Sequence, residues 1–354
     1  MRVCSAAALL LLTTGVALRA QPHDATLAVV MTNDPTDNAI KVYDTSTGAL
    51  LQTLSTNGKG GAGNNARGVT QFNGDLLAAV NNGSNTVALY RRDGRLLRFD
   101  KLVTTSSAPL SVDFGNGHMY VAGTTTVDSF VVHNGNVGRL DGTATLELPG
   151  GTTPPVGSTS QVGVVGDRQL LVTLKDDPDS GAVDVIALQD GAVSNAAPTV
   201  VPGPDGTLAP FGFSVLHDGT AVITLAHSAN DGLFREGAFT SVIADGGQAG
   251  PCWTTSVGKY VFTVNTGSRT ISRLVGTGNN IFIDDVAAAT VTAGGSPTDV
   301  DARDGVLAVI DHGASAAHLS LFSYNVFGEL KAQGTPVTLG VANPNGVAVM
   351  ASAQ

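Results

Sequence analysis

Apolar residues in this chain come in short bursts separated by glycine-bearing turns or polar loops, and no stretch sustains the 3.6-residue spacing of an amphipathic helix. The bursts form a repeating phrase. Its clearest copy runs GVTQF (68–72), turns at Asn73-Gly74, and continues DLLAAVN (75–81). It then loops from Asn82 to Asn85, runs TVALYRR (86–92), turns at Asp93-Gly94 and ends RLLRFDKLV (95–103). Further copies start at Leu110, Gln161, Phe211, Cys252 and Pro297, spaced by 42, 51, 50, 41 and 45 residues, a period suited to four-stranded propeller blades. In the copy from Phe211 the third strand is blurred. The Asn-Gly, Asp-Gly and Gly-Asn pairs supply the positive φ values that tight hairpins need.

The chain ends complete the count. LAVVMTN (27–33), AIKVYD (39–44) and ALLQTL (49–54) are three strands lacking an inner first one, and NGVAVMA (345–351) is an unaccompanied inner strand. Together they predict an all-β fold: a seven-bladed β-propeller of four-stranded antiparallel blades, with the N- and C-terminal strands sharing one blade. Residues 21–354 then form a single domain. Two packed sandwiches would need a linker, and the glycine-rich GKGGAGNN (58–65) falls between blades instead.

Composition sharpens this picture. Forty-four Gly, 15 Pro and only 14% charged residues suit many short strands and tight turns, and 42% hydrophobic residues suffice for a core. Residues 1–20 read as a signal peptide: Arg2, an apolar run at 6–12 too short to span a bilayer, and a small-residue exit at Ala17 or Ala20. The mature chain is therefore expected to be secreted, without a membrane span, and monomeric. Cys4 leaves with the leader, so Cys252 remains alone and no intrachain disulfide forms. Loss of Arg2 and Arg19 takes the net charge from −10 to −12. Without a basic cluster, such a surface repels phosphate backbones and excludes nucleic acid as a partner.

The blade register sorts the loops onto two faces. Blade-to-blade connections and loops joining second to third strands share one face, around the mouth of the central channel. His227 and His312 sit in equivalent loops there and are candidate proton carriers, against the plainer reading of solvated loop histidines. Lys175 and Arg269, with Arg67 at a blade start, are candidates to hold an anionic group, although Lys175 could instead pair with Asp176 or Asp177. Trp253 reads first as packing between blades and second as a platform for a ring-shaped ligand. Asp299 and Asp301 alternate along one strand and share a face, with Asp299 a candidate ligand contact. Asn33, Asn81 and Asn265, at strand ends, are expected to bond their own loop backbone. Cys252 reads as a small buried hydrophobe rather than a nucleophile.

No metal is assigned. DPDSG (177–181) departs from calcium-loop spacing at Gly181, and no His/Cys spacing suggests zinc. No cofactor is called for. Asn82-Gly83-Ser84 is a glycosylation sequon in a loop expected to be exposed.

The phrases VNNGSNTV (80–87) and VNTGSRTI (264–271), with APFGF (209–213), PCW (251–253) and GSPTD (295–299), resemble the lactonase-type seven-bladed propellers. That family includes 6-phosphogluconolactonase-like proteins and the fungal carboxymuconate lactonizing enzyme, or 3-carboxymuconate cyclase. The resemblance spans the mature chain and implies a lactonase-like protein that opens or forms a small carboxylated lactone at the channel mouth. The alternative is a non-catalytic extracellular binding or surface protein. The chain has no His-Pro pair, and its strands ending at Leu174 and Ala226 are apolar where relatives often carry Glu. The family's catalytic residues therefore have no direct counterparts here.

Overall fold

Short β-branched and leucine-rich runs pair with their sequence neighbours into seven antiparallel sheets. The computed structural model describes residues 25–176, 179–277, 280–291, 295–313 and 316–351. The expected leader at 1–20 and Asp177 lie outside the described residues. Blades 1 to 6 begin with the inner strands Val69–Phe72, Pro109–Gly115, Thr159–Val165, Pro210–Val215, Pro251–Val257 and Ser296–Arg303. Blade 7 takes its inner strand, Val347–Met350, from the C-terminal end and adds Leu27–Met31, Ala39–Asp44 and Leu50–Ser55. Leu27 faces Met350 and Val30 faces Val347 across this joint. All four residues of the closing strand are buried, so the ring is shut by a seam with no exposed edge.

The turns behave as their residues dictate. Asn73 and Gly74 both adopt positive φ, 53° and 73°, the geometry of a hairpin matched to strand twist. The blurred strand of blade 4 is Asn230–Arg235. Blades 3 and 6 each complete their outer edge with two short strands. Among the described residues, no helix is long and apolar enough to cross a membrane.

Inner strands of neighbouring blades share no sheet ladder, so their channel-side N–H groups need other partners. Polar side chains on the adjacent inner strand supply them. Ser111 Oγ accepts from Val162 N, and Asp113 accepts from Val164 N. Gln161 both donates to and accepts from the Phe213 backbone. Asp299 accepts from Val347 N, and Asp301 from Val349 N. Asp299 and Asp301 do share a face, and that face stitches blade 6 to blade 7.

Candidate functional site at the channel mouth

The connection from blade 7 to blade 1 does more than join two blades. Its glycines let it fold inward, and residues 60–67 lie across the channel mouth as a plug. Asn33 anchors one end: its Oδ1 accepts from Gly61 N and Ala62 N, and its Nδ2 donates to the Ala62 carbonyl. Gly60 packs so closely on the Asn33 backbone that a Cβ would come within 2.4 Å of it. Asn65 is fully buried at the centre. Its side chain donates to the Leu110 carbonyl of blade 2 and accepts from Asn345 Nδ2 (2.6 Å) beside blade 7. Its backbone carbonyl accepts from Trp253 Nε1 of blade 5 at 2.9 Å, and Ala66 N donates to Ser160 O of blade 3. With Gly83 N of blade 1 donating to the Gly60 carbonyl, one strap bonds to five blades.

The plug divides the mouth into two cavities. The larger, about 410 Å³, lies against blades 3 to 6 and is lined by Lys175, Phe211, His227, Cys252, Trp253 and His312, with Asn64 from the plug and residues 155–158. The smaller, about 330 Å³, lies toward blades 6 and 7 and shares Asn64, Trp253 and His312. Three candidate ionisable residues, from three blades, meet in the larger cavity because second-to-third-strand loops share a face.

Lys175 is the electrostatic centre of that cavity. Its Nζ donates to the Asn64 carbonyl and sits 4.8 Å from the Phe211 ring centroid. Desolvation brings its pKa down to about 8, with the nearby Cys252 acting in the opposite direction. It forms no described ion pair with Asp176 and stands beside an aromatic wall. Trp253, 5% exposed, packs edge-on against Phe211 at 5.1 Å. Trp253 thus packs between blades, as its first reading expects, and also walls the cavity. Burial pushes the Cys252 thiol up to about 11, as befits an inert side chain. His227 and His312 are exposed at the rim. Asp176 also reaches this lining.

The remaining candidates lie elsewhere. Arg67, at positive φ, pairs with Asp113 at 3.1 Å within the channel wall. Asp299 is buried there, its carboxyl pushed up to about 7 by desolvation against two backbone donors. Arg269 is exposed on the mouth face but lines neither cavity. Asn82 is half-buried rather than openly exposed, and its Nδ2 donates to Pro109 O. The strand-end asparagines reach further than their own loops: Asn33 holds the plug, and Asn81 donates to Thr56 O of blade 7. Sequence reasoning places Asn65 at a blade entry on the mouth face but misses Asn64, for which the only local signal is the glycine run before it. Among the described residues, no group of three or more His, Cys, Asp or Glu side chains is arranged to hold a metal.

No family model and no curated protein matches this chain. Solved structures do. The periplasmic gluconolactonase of Pseudomonas aeruginosa is similar at 16% identity and a TM-score of 0.65, over 92% of this chain and 99% of that one. A candidate 6-phosphogluconolactonase from Bacteroides fragilis is similar at 13% identity and 0.65, over 94% and 99%. Virginiamycin B lyase from Staphylococcus aureus, in a catalytically inactive form with quinupristin, is similar at 15% identity and 0.56, over 82% and 93%. At these identities the likeness establishes the fold: this chain shares the seven-bladed propeller architecture of 6-phosphogluconolactonase-like lactonases.

Proposed function

We propose that this protein opens or forms a small carboxylated lactone in the larger mouth cavity, acting after export. One observation carries the reading: Lys175, His227 and His312 line a single cavity of a size suited to a small metabolite. In the opening direction, protonated Lys175 holds the substrate carboxylate against the Phe211–Trp253 wall, where low polarity strengthens the attraction. His227 or His312 takes a proton from water as its oxygen attacks the lactone carbonyl. The ring C–O bond then breaks, and the proton passes to the departing alkoxide. Closure is the same sequence reversed. The gluconolactonase and 6-phosphogluconolactonase neighbours support this choice of substrate class.

A second reading, a secreted non-catalytic binding protein, is favoured by the wall. Asp113, Asp299 and Asp301 are all engaged by backbone donors or Arg67, leaving few groups for acid–base work. Ring opening of sugar and muconate-type lactones, followed by pH-stat, separates the two. Turnover that falls in His227→Ala or His312→Ala supports catalysis. Turnover unchanged in both overturns the residue assignment, and no turnover with retained binding supports the second reading.

A further inference from the structure

The seven blades repeat one packing position that blade 4 fills differently. Where the chain leaves the outer strand, a backbone N–H donates to the residue just before the third strand: Thr105 to Asn85, Leu146 to Thr125, Asp245 to Ala229, Val291 to Arg269 and Leu339 to Ala317. Two residues beyond each acceptor is a buried third-strand side chain: Val87, Val127, Asp231, Ile271 and Leu319. The partnered pairs are apolar in blades 2, 5 and 6, and Val87 with Thr105 in blade 1. In blade 4 they are Asp231 and Asp245, 0% and 1% exposed.

The facing strand of blade 5 changes in step. Asn81 of blade 1 packs on blade 7, where it bonds Asn38 and Thr56 O; Ile40 lies two residues beyond Asn38, and Ala79 two residues before Asn81 on the same face. The matching set between blades 4 and 5 is Asn265, Asp231, Asp245 and Thr263. In blade 1, Asn81 Oδ1 accepts from Asn38 at 3.0 Å; Ala229 stands at that place in blade 4 and offers no side-chain donor. Both oxygens of Asp231, both of Asp245, Thr263 Oγ1 and Asn265 Oδ1 are buried, and no group outside this set donates to them; within it, the Thr263 hydroxyl and the Asp245 carboxyl interact with Asp231. Asp231 abuts both Asp245 and Thr263, while Asn265 bonds Thr270, which in turn bonds Gln248 in the turn that follows Asp245.

Two buried carboxylates side by side, with the Thr263 hydroxyl as the donor between them and solvent-free surroundings, are costly to leave without a counter-charge. We infer that Asp231, Asp245, Thr263 and Asn265 form a calcium site between blades 4 and 5. The set provides only oxygen ligands, in the number calcium takes, and its two carboxylates balance the charge of a dication. Magnesium, which sheds its water reluctantly and demands octahedral geometry, fits a dry site of this kind poorly. The cation would pin blade 4 to blade 5 below the wall carrying His227 and Trp253.

The test uses the full chain, purified in chelator and exchanged into chelator-free buffer. Calcium chloride at constant ionic strength should raise the unfolding midpoint saturably, by about 3 °C or more, with one calcium per chain by metal analysis and a smaller response to magnesium. The double variant Asp231→Ile/Asp245→Val, which restores the pair used in blade 5, should fold, bind no calcium and show no shift. Absence of both a calcium shift and bound calcium in the native chain, or an equal response in the double variant, overturns the proposal. So does an equal or larger response to magnesium.

Discussion

Blades 1 and 4 build the same short turn between their second and third strands, with opposite consequences. In blade 1 it is Asn82–Ser84, in blade 4 Ala226–Ser228, and both end on a left-handed residue, Asn85 or Ala229. The blade 1 turn lies under the plug: Gly83 N donates to the carbonyls of Lys59 and Gly60, and Ser84 Oγ accepts from Lys59 N. The blade 4 turn carries His227 to the larger cavity. One local conformation is therefore scaffold on one side of the ring and candidate chemistry on the other. What separates them is coverage by a distant strap, and whether the middle position is glycine or histidine.

The largest disruption should come from the covered half. Truncation after Asn345 removes Val347–Met350 and uncovers the edge of Leu27–Met31. A buried Val or Met contributes about 1.5–3 kcal/mol, against a total stability of about 5–15 kcal/mol. Such a chain should show no cooperative thermal transition by circular dichroism. Next comes Lys175→Met in the open half. It should weaken binding of a carboxylated ligand about 10- to 100-fold by calorimetry, the scale of a charge-assisted hydrogen bond, with little change in melting temperature.

The paired turns give a sharper contrast. A Cβ at Gly83 would lie 2.8 Å from the Gly60 carbonyl oxygen, so Gly83→Ala should lift the plug and cost roughly 1–2 kcal/mol in denaturant unfolding. His227→Gly, which gives blade 4 the blade 1 residue, should leave stability within about 1 kcal/mol while reducing lactone turnover.

The smallest effect compares blades 2 and 3. Asp128 accepts from both Ser106 N and Thr143 Oγ1, whereas Asp184 accepts from Glu147 N alone and its second oxygen has no donor. Burial pushes the Asp184 carboxyl up to about 7. Between about pH 4 and 7 the folded chain therefore holds a proton that the unfolded chain releases, so this contribution to stability is lost as pH rises. On going from pH 7 to pH 6, the native chain should gain at most about 1 kcal/mol more than Asp184→Asn does, measured by urea unfolding.

The ring itself was legible because each blade repeats its apolar bursts and Asn-Gly or Asp-Gly turns, and because the ends are complementary. The shared face of Lys175, His227 and His312 followed from strand alternation alone. The third strand of blade 4 was blurred because Asp231 and Gly232 interrupt its apolar run, a local cost of the oxygen-lined position. The plug was not legible: GKGGAGNN reads as a flexible connection, and its path depends on partners as distant as Trp253 and Asn345. Asp299 looked like a ligand contact because a carboxylate lining a channel suggests chemistry. Its task, accepting from the neighbouring inner strand, becomes visible only when the ring closes.

A crystal structure of the chain soaked with a carboxylated lactone and its ring-opened acid puts the central claim to the most direct trial. The ligand should occupy the cavity between the plug and blades 3 to 6, its carboxylate within hydrogen-bonding distance of Lys175 Nζ and its ring near His227 or His312. A ligand bound away from Lys175, or on the opposite face of the ring, would contradict the account.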